Sequence, residues 1–225
     1  MTGHLLARTL ARNSFSDALG DEAFVRAMLA FEGALAQSEA DCGVIPAQAA
    51  TFIQAACSSL NISPVQLAAQ GKLAGSLAIP LVKALTEQVR IADRKAASFV
   101  HFGSTSQDVL DTALALCIQP CMAEADRILE TSIARLADHA RHNASSVMLG
   151  RTMLQPAIPI TAGIKIARWA TALSRCRIRI AQASARAVPA VRRTGRDAGC
   201  VGRQARAGAS RSRPAPRPDR GALMA

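Results

Sequence analysis

Apolar residues recur at helical spacing early in the chain, and they form one stripe. The stripe consists of Phe24, Met28, Phe31 and Leu35. Asp21 is suited to cap this helix, which we expect to begin at Glu22, because its side chain can accept a hydrogen bond from a free backbone N–H. Gly43 and Pro46 favour its end.

Three shorter helices are predicted next, over residues 46–57, from Pro64 onward and over residues 81–91. The segment Ser63–Gln66 resembles a capping box with proline at the first helical position, so we expect the second of these helices to start there.

Two much longer apolar patterns follow, from residue 106 to about residue 140 and from residue 160 to residue 187. The first contains Pro120, where a kink is expected. The arginines of the second are interpreted as a solvated face. Long helices with short connections indicate a bundle, so the predicted fold class is all-α. The composition agrees, with 50% hydrophobic but only 3% aromatic residues.

The net charge of +11 is concentrated in the tail, since residues 191–225 hold nine Arg and two Asp and carry +7. The remaining +4 makes the body only mildly basic, so we do not expect nucleic acid as its partner. The tail is rich in Arg, Gly, Ala and Pro and lacks helical periodicity, which predicts a disordered segment over residues 190–225.

Two polar segments, each predicted to form a loop that leads into a long helix, contain the candidate functional residues. In the first, residues 101–112, Thr105 or Ser106 can cap the first long helix, and hydroxyl and backbone N–H groups there suit a carboxylate. In the second, residues 151–157, Arg151 offers a charged fork for an anion. Both segments therefore predict anion binding.

Together these segments resemble the fumarase/aspartase superfamily of lyases. The superfamily pattern H-x-G-x-T-S-x-D-x-x-D-T fits residues 101–112, and G-R-T-x-x-Q-x-A-x-P-x-T-x-G fits residues 150–163. Within the superfamily the chain is most similar to the 3-carboxy-cis,cis-muconate cycloisomerase family over about residues 15–189. Met153 and Lys83 stand where the adenylosuccinate lyase pattern has histidines, which favours the cycloisomerase.

The resemblance implies a cofactor-free and metal-free lactonisation of 3-carboxymuconate, a small tricarboxylate, in protocatechuate degradation by the β-ketoadipate pathway. It also implies a homotetramer. The uncharged stretch between Asp41 and Lys72 contains Pro46, Pro64 and many polar residues, so we expect no membrane span there and a cytoplasmic protein. The candidate catalytic residues are His101, Thr105 and Ser106 in the first segment and His142 in the turn before the second. The implied substrate-binding residues are Lys83, Gln107, Asp108, Arg151, Thr152 and Gln155.

The implied organisation is an N-terminal helical domain over residues 1–104 and a partial helical bundle over residues 105–189, followed by the tail. Only the first two long helices of the superfamily bundle are then present. The superfamily's third region, of the type G-S-S-x-M-P-x-K-x-N, does not occur in the chain.

The tail also suggests a shifted reading frame near residue 189. If its codons are read from the second base of the Ala190 codon, permitted bases give Gln-Phe-Gly-Gly-x-Ala-Gly-Thr-Leu-Ala-Ala-Leu-Gly-Asp-Lys. This resembles a glycine-rich segment of the cycloisomerase family. We therefore expect the 225-residue chain to be an inactive or unstable fragment.

Two alternatives stay open. One is another lyase of the superfamily, acting on adenylosuccinate or argininosuccinate. The other is a non-catalytic helical fragment that binds nucleic acid or acidic partners through its basic tail, which predicts strongly salt-dependent binding.

Overall fold

A computed structural model describes residues 13–187, and these divide along the chain into two compact units after residue 117. The first unit comprises residues 13–117 and the second comprises residues 118–187. The predicted disordered tail, residues 190–225, lies outside the described residues.

The described chain is mainly helical, with one two-stranded sheet. The helices are α1 (Asn13–Ala18), α2 (Asp21–Asp41), α3 (Ala47–Ser59), α4 (Pro64–Ala74), α5 (Ala78–Ala92), α6 (Ser106–His142) and α7 (Ala162–Arg186). A short 3₁₀ helix spans Ala96–Phe99, and the strands are β1 (Val147–Thr152) and β2 (Gln155–Thr161). None of these helices has the length and apolar character needed to cross a membrane.

The core of the first unit is mainly aliphatic and draws on α2, α3, α4, α5 and the start of α6. Its largest fully buried apolar side chains come from α2, α3, α5 and the start of α6: Met28, Ile53, Leu81, Leu85, Val89 and Val109. Removing such side chains from water is the main source of stability, worth roughly 1.5–3 kcal/mol for each. The start of α6 is therefore anchored in this core.

The predicted helices of the first unit are confirmed, with differences at their ends. Helix α2 begins at Asp21 itself, and Gly20 is its N-cap without a side-chain hydrogen bond. Ser63 is the N-cap of α4, but its side chain makes no capping bond. Helix α5 begins three residues earlier than predicted, because its first turn tolerates Pro80, whose missing N–H is not needed there.

The first long helix is one continuous element of 37 residues with Pro120 inside it. It ends at His142, close to the predicted limit of about residue 140. The helix begins directly after Thr105. Its residues up to Cys117 belong to the first unit, and the rest belong to the second.

The second polar segment is not a loop, as the sequence predicted, but an antiparallel β-hairpin. Strands β1 and β2 pair from Val147 opposite Thr161 to Thr152 opposite Gln155, with an irregularity between Leu149 and Arg151. The two strands are both sheet edges, which is where a proline-containing strand such as β2 is tolerated. The all-α prediction is thus correct for the helices and misses this hairpin.

The prediction of a solvated arginine face on α7 is wrong for Arg177. Its guanidinium donates to both carboxylate oxygens of Asp126, at 2.7 and 3.1 Å, and to Glu130 at 3.0 Å. These bonds hold α7 against α6. They also raise the pKa of Arg177, and the hydrogen bond to Asp126 is the largest cause.

The start of α7 packs closely on the end of α6 at Gly163. The Gly163 N–H donates to the Asn143 carbonyl at 2.9 Å, and Thr161 caps the helix by accepting from the Ile164 N–H. A Cβ at residue 163 would lie 2.6 Å from the Ala140 carbonyl oxygen and 2.9 Å from Ala144 Cα. Only glycine fits at this crossing without movement of the backbone.

We predict that Gly163→Ala destabilises the chain by about 1–3 kcal/mol, because the added methyl group overpacks a backbone contact. Gly33→Ala is the matched control, since that helical glycine has only ordinary contacts with its nearest neighbours, at 3.8 Å or more. The control should raise stability by about 0.5–1 kcal/mol through its higher helix propensity. Urea unfolding followed by circular dichroism measures both, and equal effects of the same sign would contradict the packing described.

Candidate functional site

The first polar segment begins with a tight turn that precedes α6. His101 and Gly103 both have left-handed backbone conformations, with φ of 57° and 66°. The Ser104 N–H donates to the His101 carbonyl at 3.4 Å. Positive φ is uncommon for residues other than glycine, although histidine adopts it more often than most.

The His101 side chain contacts a buried acid on α2. His101 Nδ1 lies 2.7 Å from Glu32 Oε1, although the two residues are 69 positions apart in the chain. The Glu32 side chain is fully buried, whereas the imidazole is 17% exposed. The contact therefore ties α2 to the turn from inside the first unit.

The surroundings of Glu32 are poor in polar groups. Its second oxygen, Oε2, is buried and has no hydrogen-bond partner among the described residues. Burial, and then the nearby charge of Glu32, raise the pKa of the Cys57 thiol to about 12. Cys57 is thus a neutral thiol at ordinary pH.

Thr105 and Asp108 form a reciprocal capping box at the start of α6. Asp108 Oδ2 accepts from the Thr105 N–H at 2.9 Å and from the Thr105 hydroxyl at 2.8 Å. The Asp108 N–H in turn donates to Thr105 Oγ1 at 3.3 Å. The hydroxyl proton of Thr105 and the carboxylate of Asp108, which is buried, are therefore engaged with each other.

Ser106 and Gln107 lie between the two residues of this box. Within the described part of the chain the half-buried Ser106 hydroxyl has no hydrogen-bond partner, so it can bond a ligand. Gln107 is exposed and donates to Asp111 Oδ1 at 2.5 Å. Lys83, on α5 in the same unit, is also exposed.

The other predicted residues belong to the second unit. Arg151, Thr152 and Gln155 are exposed and flank the two-residue tip of the β-hairpin. The tip residues Met153 and Leu154 have φ of 49° and 65° and are at least 90% exposed. Both positive φ values match the turn type that closes two-residue hairpins, although glycine and asparagine are its usual residues.

His142 lies in the last turn of α6, also in the second unit. It is exposed, and its Nδ1 lies 2.8 Å from the Asp138 carbonyl oxygen, with which it can form a hydrogen bond within its own helix. The structure thus groups His101 with Thr105 and Ser106 around one turn, and it groups Arg151 with Thr152 and Gln155 at one hairpin tip.

Glu32 belongs to the first group but was not among the residues predicted from the sequence. A signal was present, because Glu32 follows Met28 by four residues and precedes Leu35 by three, so it lies on the apolar face of α2. A carboxylate on such a face indicates a specific buried partner. Across residues 13–187 there is no cluster of three or more His, Cys, Asp or Glu side chains that could hold a metal ion.

Comparisons with known proteins agree on one family. Residues 7–200 match the family described as lyase. The chain is 42% identical over 180 residues to the 3-carboxy-cis,cis-muconate cycloisomerase of Bradyrhizobium diazoefficiens, and 43% identical over 160 residues to that of Pseudomonas aeruginosa. These alignments cover 80% and 71% of this chain but only 40% and 35% of the relatives.

A solved structure gives the same result. The structure of β-carboxy-cis,cis-muconate cycloisomerase from Acinetobacter calcoaceticus sp. ADP1 superimposes with a TM-score of 0.82 at 37% identity. The match covers 90% of this chain and 50% of that one. The chain therefore spans half the length, or less, of the relatives it matches.

We predict that Asp108→Ala destabilises the first unit by about 1–2 kcal/mol, because it removes the acceptor of the capping box. Asp111→Ala is the control, since Asp111 is exposed on the same helix and should change stability by at most about 0.5 kcal/mol. Urea unfolding curves of the two variants provide the measurement. Equal stability of both variants would show that the box does not hold the start of α6.

Proposed function

Since this chain belongs to the lyase family, we propose that it is the amino-terminal part of a 3-carboxy-cis,cis-muconate cycloisomerase. The observation that carries the proposal is the 42% identity to a curated cycloisomerase over 80% of this chain. The proposed reaction is an intramolecular lactonisation of 3-carboxymuconate that needs no cofactor.

The choice within the family is supported by Met153. This residue stands at the hairpin tip, beside residues proposed to bind substrate, where the adenylosuccinate lyase pattern has a histidine. A thioether can neither donate nor accept a proton as imidazole does. Met153 at the tip therefore favours a reaction in which residue 153 transfers no proton.

In the proposed reaction a carboxylate oxygen of the substrate adds to a carbon–carbon double bond of the same molecule. One C–O bond forms, the double-bond electrons move to the neighbouring carbon, and that carbon receives one proton. The protein must hold three carboxylates, stabilise charge that develops on one of them, and supply the proton.

We assign carboxylate binding to the hairpin tip and to the start of α6. Arg151 can form two parallel charged hydrogen bonds with a carboxylate, and Thr152 and Gln155 can donate beside it. At the start of α6, Ser106 supplies a hydroxyl and backbone N–H groups where the helix dipole favours an anion. Thr105 serves mainly as the cap, because its hydroxyl proton already bonds Asp108.

The remaining assignments are proposed from the resemblance. Lys83, Gln107 and Asp108 contribute charge and orientation to substrate binding, with Asp108 acting through Thr105. His101 and His142 are the candidate proton donors. Of these two, His101 is the more constrained, because a buried carboxylate contacts its ring.

The proposal includes the assembly and cellular setting of the family, namely a cytoplasmic homotetramer in the β-ketoadipate pathway. Large apolar side chains left exposed on α7 support burial against further helices: Ile164, Trp169 and Ile178 are each about half exposed. Such side chains are usually covered at protein interfaces or in a larger core.

The proposal also includes a shifted reading frame near residue 189. Its support is the tail sequence itself, since a reading one base later restores a glycine-rich segment similar to that of the cycloisomerase family. Resequencing the gene across the Ala190 codon tests this directly. We expect the nucleotides to encode that segment in the alternative frame, and codons incompatible with it would refute the shift.

We predict that the frame-restored protein lactonises 3-carboxymuconate and that Arg151→Ala or Ser106→Ala lowers kcat/KM by roughly 10²-fold or more. Each variant removes a donor to a substrate carboxylate. The loss of diene absorbance measures turnover. Arg168→Ala is the control, because Arg168 is exposed on α7 and has no assigned role, so its kcat/KM should be unchanged.

An inactive frame-restored wild-type protein would refute the proposed function. Full activity of both site variants, with an active wild type, would refute only the assignment of Arg151 and Ser106.

A further inference from the structure

The buried contact between Glu32 and His101 supports an inference about the histidine that goes beyond its place in a sequence pattern. Glu32 lies on α2 and is fully buried, and its one hydrogen-bonded oxygen, Oε1, faces His101 Nδ1 at 2.7 Å. A distance this short requires a proton between the two atoms. That proton belongs either to the imidazole nitrogen or to the carboxyl group.

A charged Glu32 carboxylate needs a neighbouring group that stabilises its charge. An ionised carboxylate in a dry environment is costly unless a donor or a cation faces it. Glu32 Oε2 has no hydrogen-bond partner among the described residues, so the contact with His101 is the hydrogen bond that they offer to this carboxyl group. The imidazole N–H of His101 is the donor that the structure offers.

The backbone of the turn also restricts the position of the His101 ring. His101 has a φ of 57°, and Ser104 bonds back to its carbonyl oxygen. The ring therefore leaves a constrained backbone and has a fixed partner on its Nδ1 side. The imidazole is 17% exposed, and its Nε2 has no hydrogen-bond partner among the described residues.

We propose that Glu32 is a positioning residue whose carboxylate fixes a proton on His101 Nδ1, so that Nε2 is the nitrogen that exchanges protons. The neutral imidazole of His101 is then the Nδ1–H tautomer. Its Nε2 is the atom of this turn that takes part in proton transfer. The use of Nε2 in the reaction rests on the proposed function. The tautomer itself can be tested without turnover.

The experiment is a long-range ¹H–¹⁵N correlation spectrum of the ¹⁵N-labelled 225-residue chain. The chain has four histidines, and His101→Asn identifies the signals of His101 by their loss. We expect a protonated Nδ1 in the wild-type chain. An unprotonated Nδ1 with the proton on Nε2 would overturn the inference, because the carboxyl group would then hold the shared proton.

Glu32→Gln tests whether the carboxylate is the cause. The amide has the same shape but can donate as well as accept, so the Nε2–H tautomer of His101 should become populated. An unchanged, fully Nδ1-protonated His101 in this variant would also overturn the inference. Glu39→Gln is the matched control, since Glu39 is a buried acid on the same helix and its replacement should leave the tautomer unchanged.

The wild-type spectrum decides the tautomer even if Glu32→Gln fails to fold. A frame-restored protein without cycloisomerase activity would count against the proposed function, whereas it would leave the tautomer result untouched. The two failures are therefore distinguishable.

Discussion

The turn from His101 to Thr105 is the constraint on which the candidate site of the first unit depends. One end of the turn is held by the contact of His101 with Glu32 inside the unit. The other end is held by the capping box between Thr105 and Asp108. Between them, two left-handed residues redirect the chain into α6. These two contacts together position the half-buried hydroxyl of Ser106 and the N-terminus of the helix.

Much of this fold could be predicted from the sequence because helical periodicity is a local property. The apolar stripe of α2 and the long patterns of α6 and α7 predict real helices, with errors only at their ends. The β-hairpin was missed because Pro156 and Pro159 are typical of loops. Such residues are tolerated in a two-stranded sheet, where both strands are edges.

The candidate site was predictable only in part, for a related reason. Its polar residues could be picked out because they cluster in two segments and match a family pattern, and the lyase family is confirmed. The partners that orient them are distant in the chain: Glu32 precedes His101 by 69 residues, and Asp126 precedes Arg177 by 51 residues. No local pattern reveals such pairs. A charged residue on an apolar helix face indicates only that a partner must exist.

The central claim is that these two polar groups belong to a cycloisomerase rather than to another lyase of the superfamily. The most direct measurement offers the frame-restored protein 3-carboxy-cis,cis-muconate and adenylosuccinate in parallel and follows the consumption of each. We predict rapid loss of the diene absorbance of the first substrate and no cleavage of the second. Cleavage of adenylosuccinate without lactonisation of carboxymuconate would contradict the account.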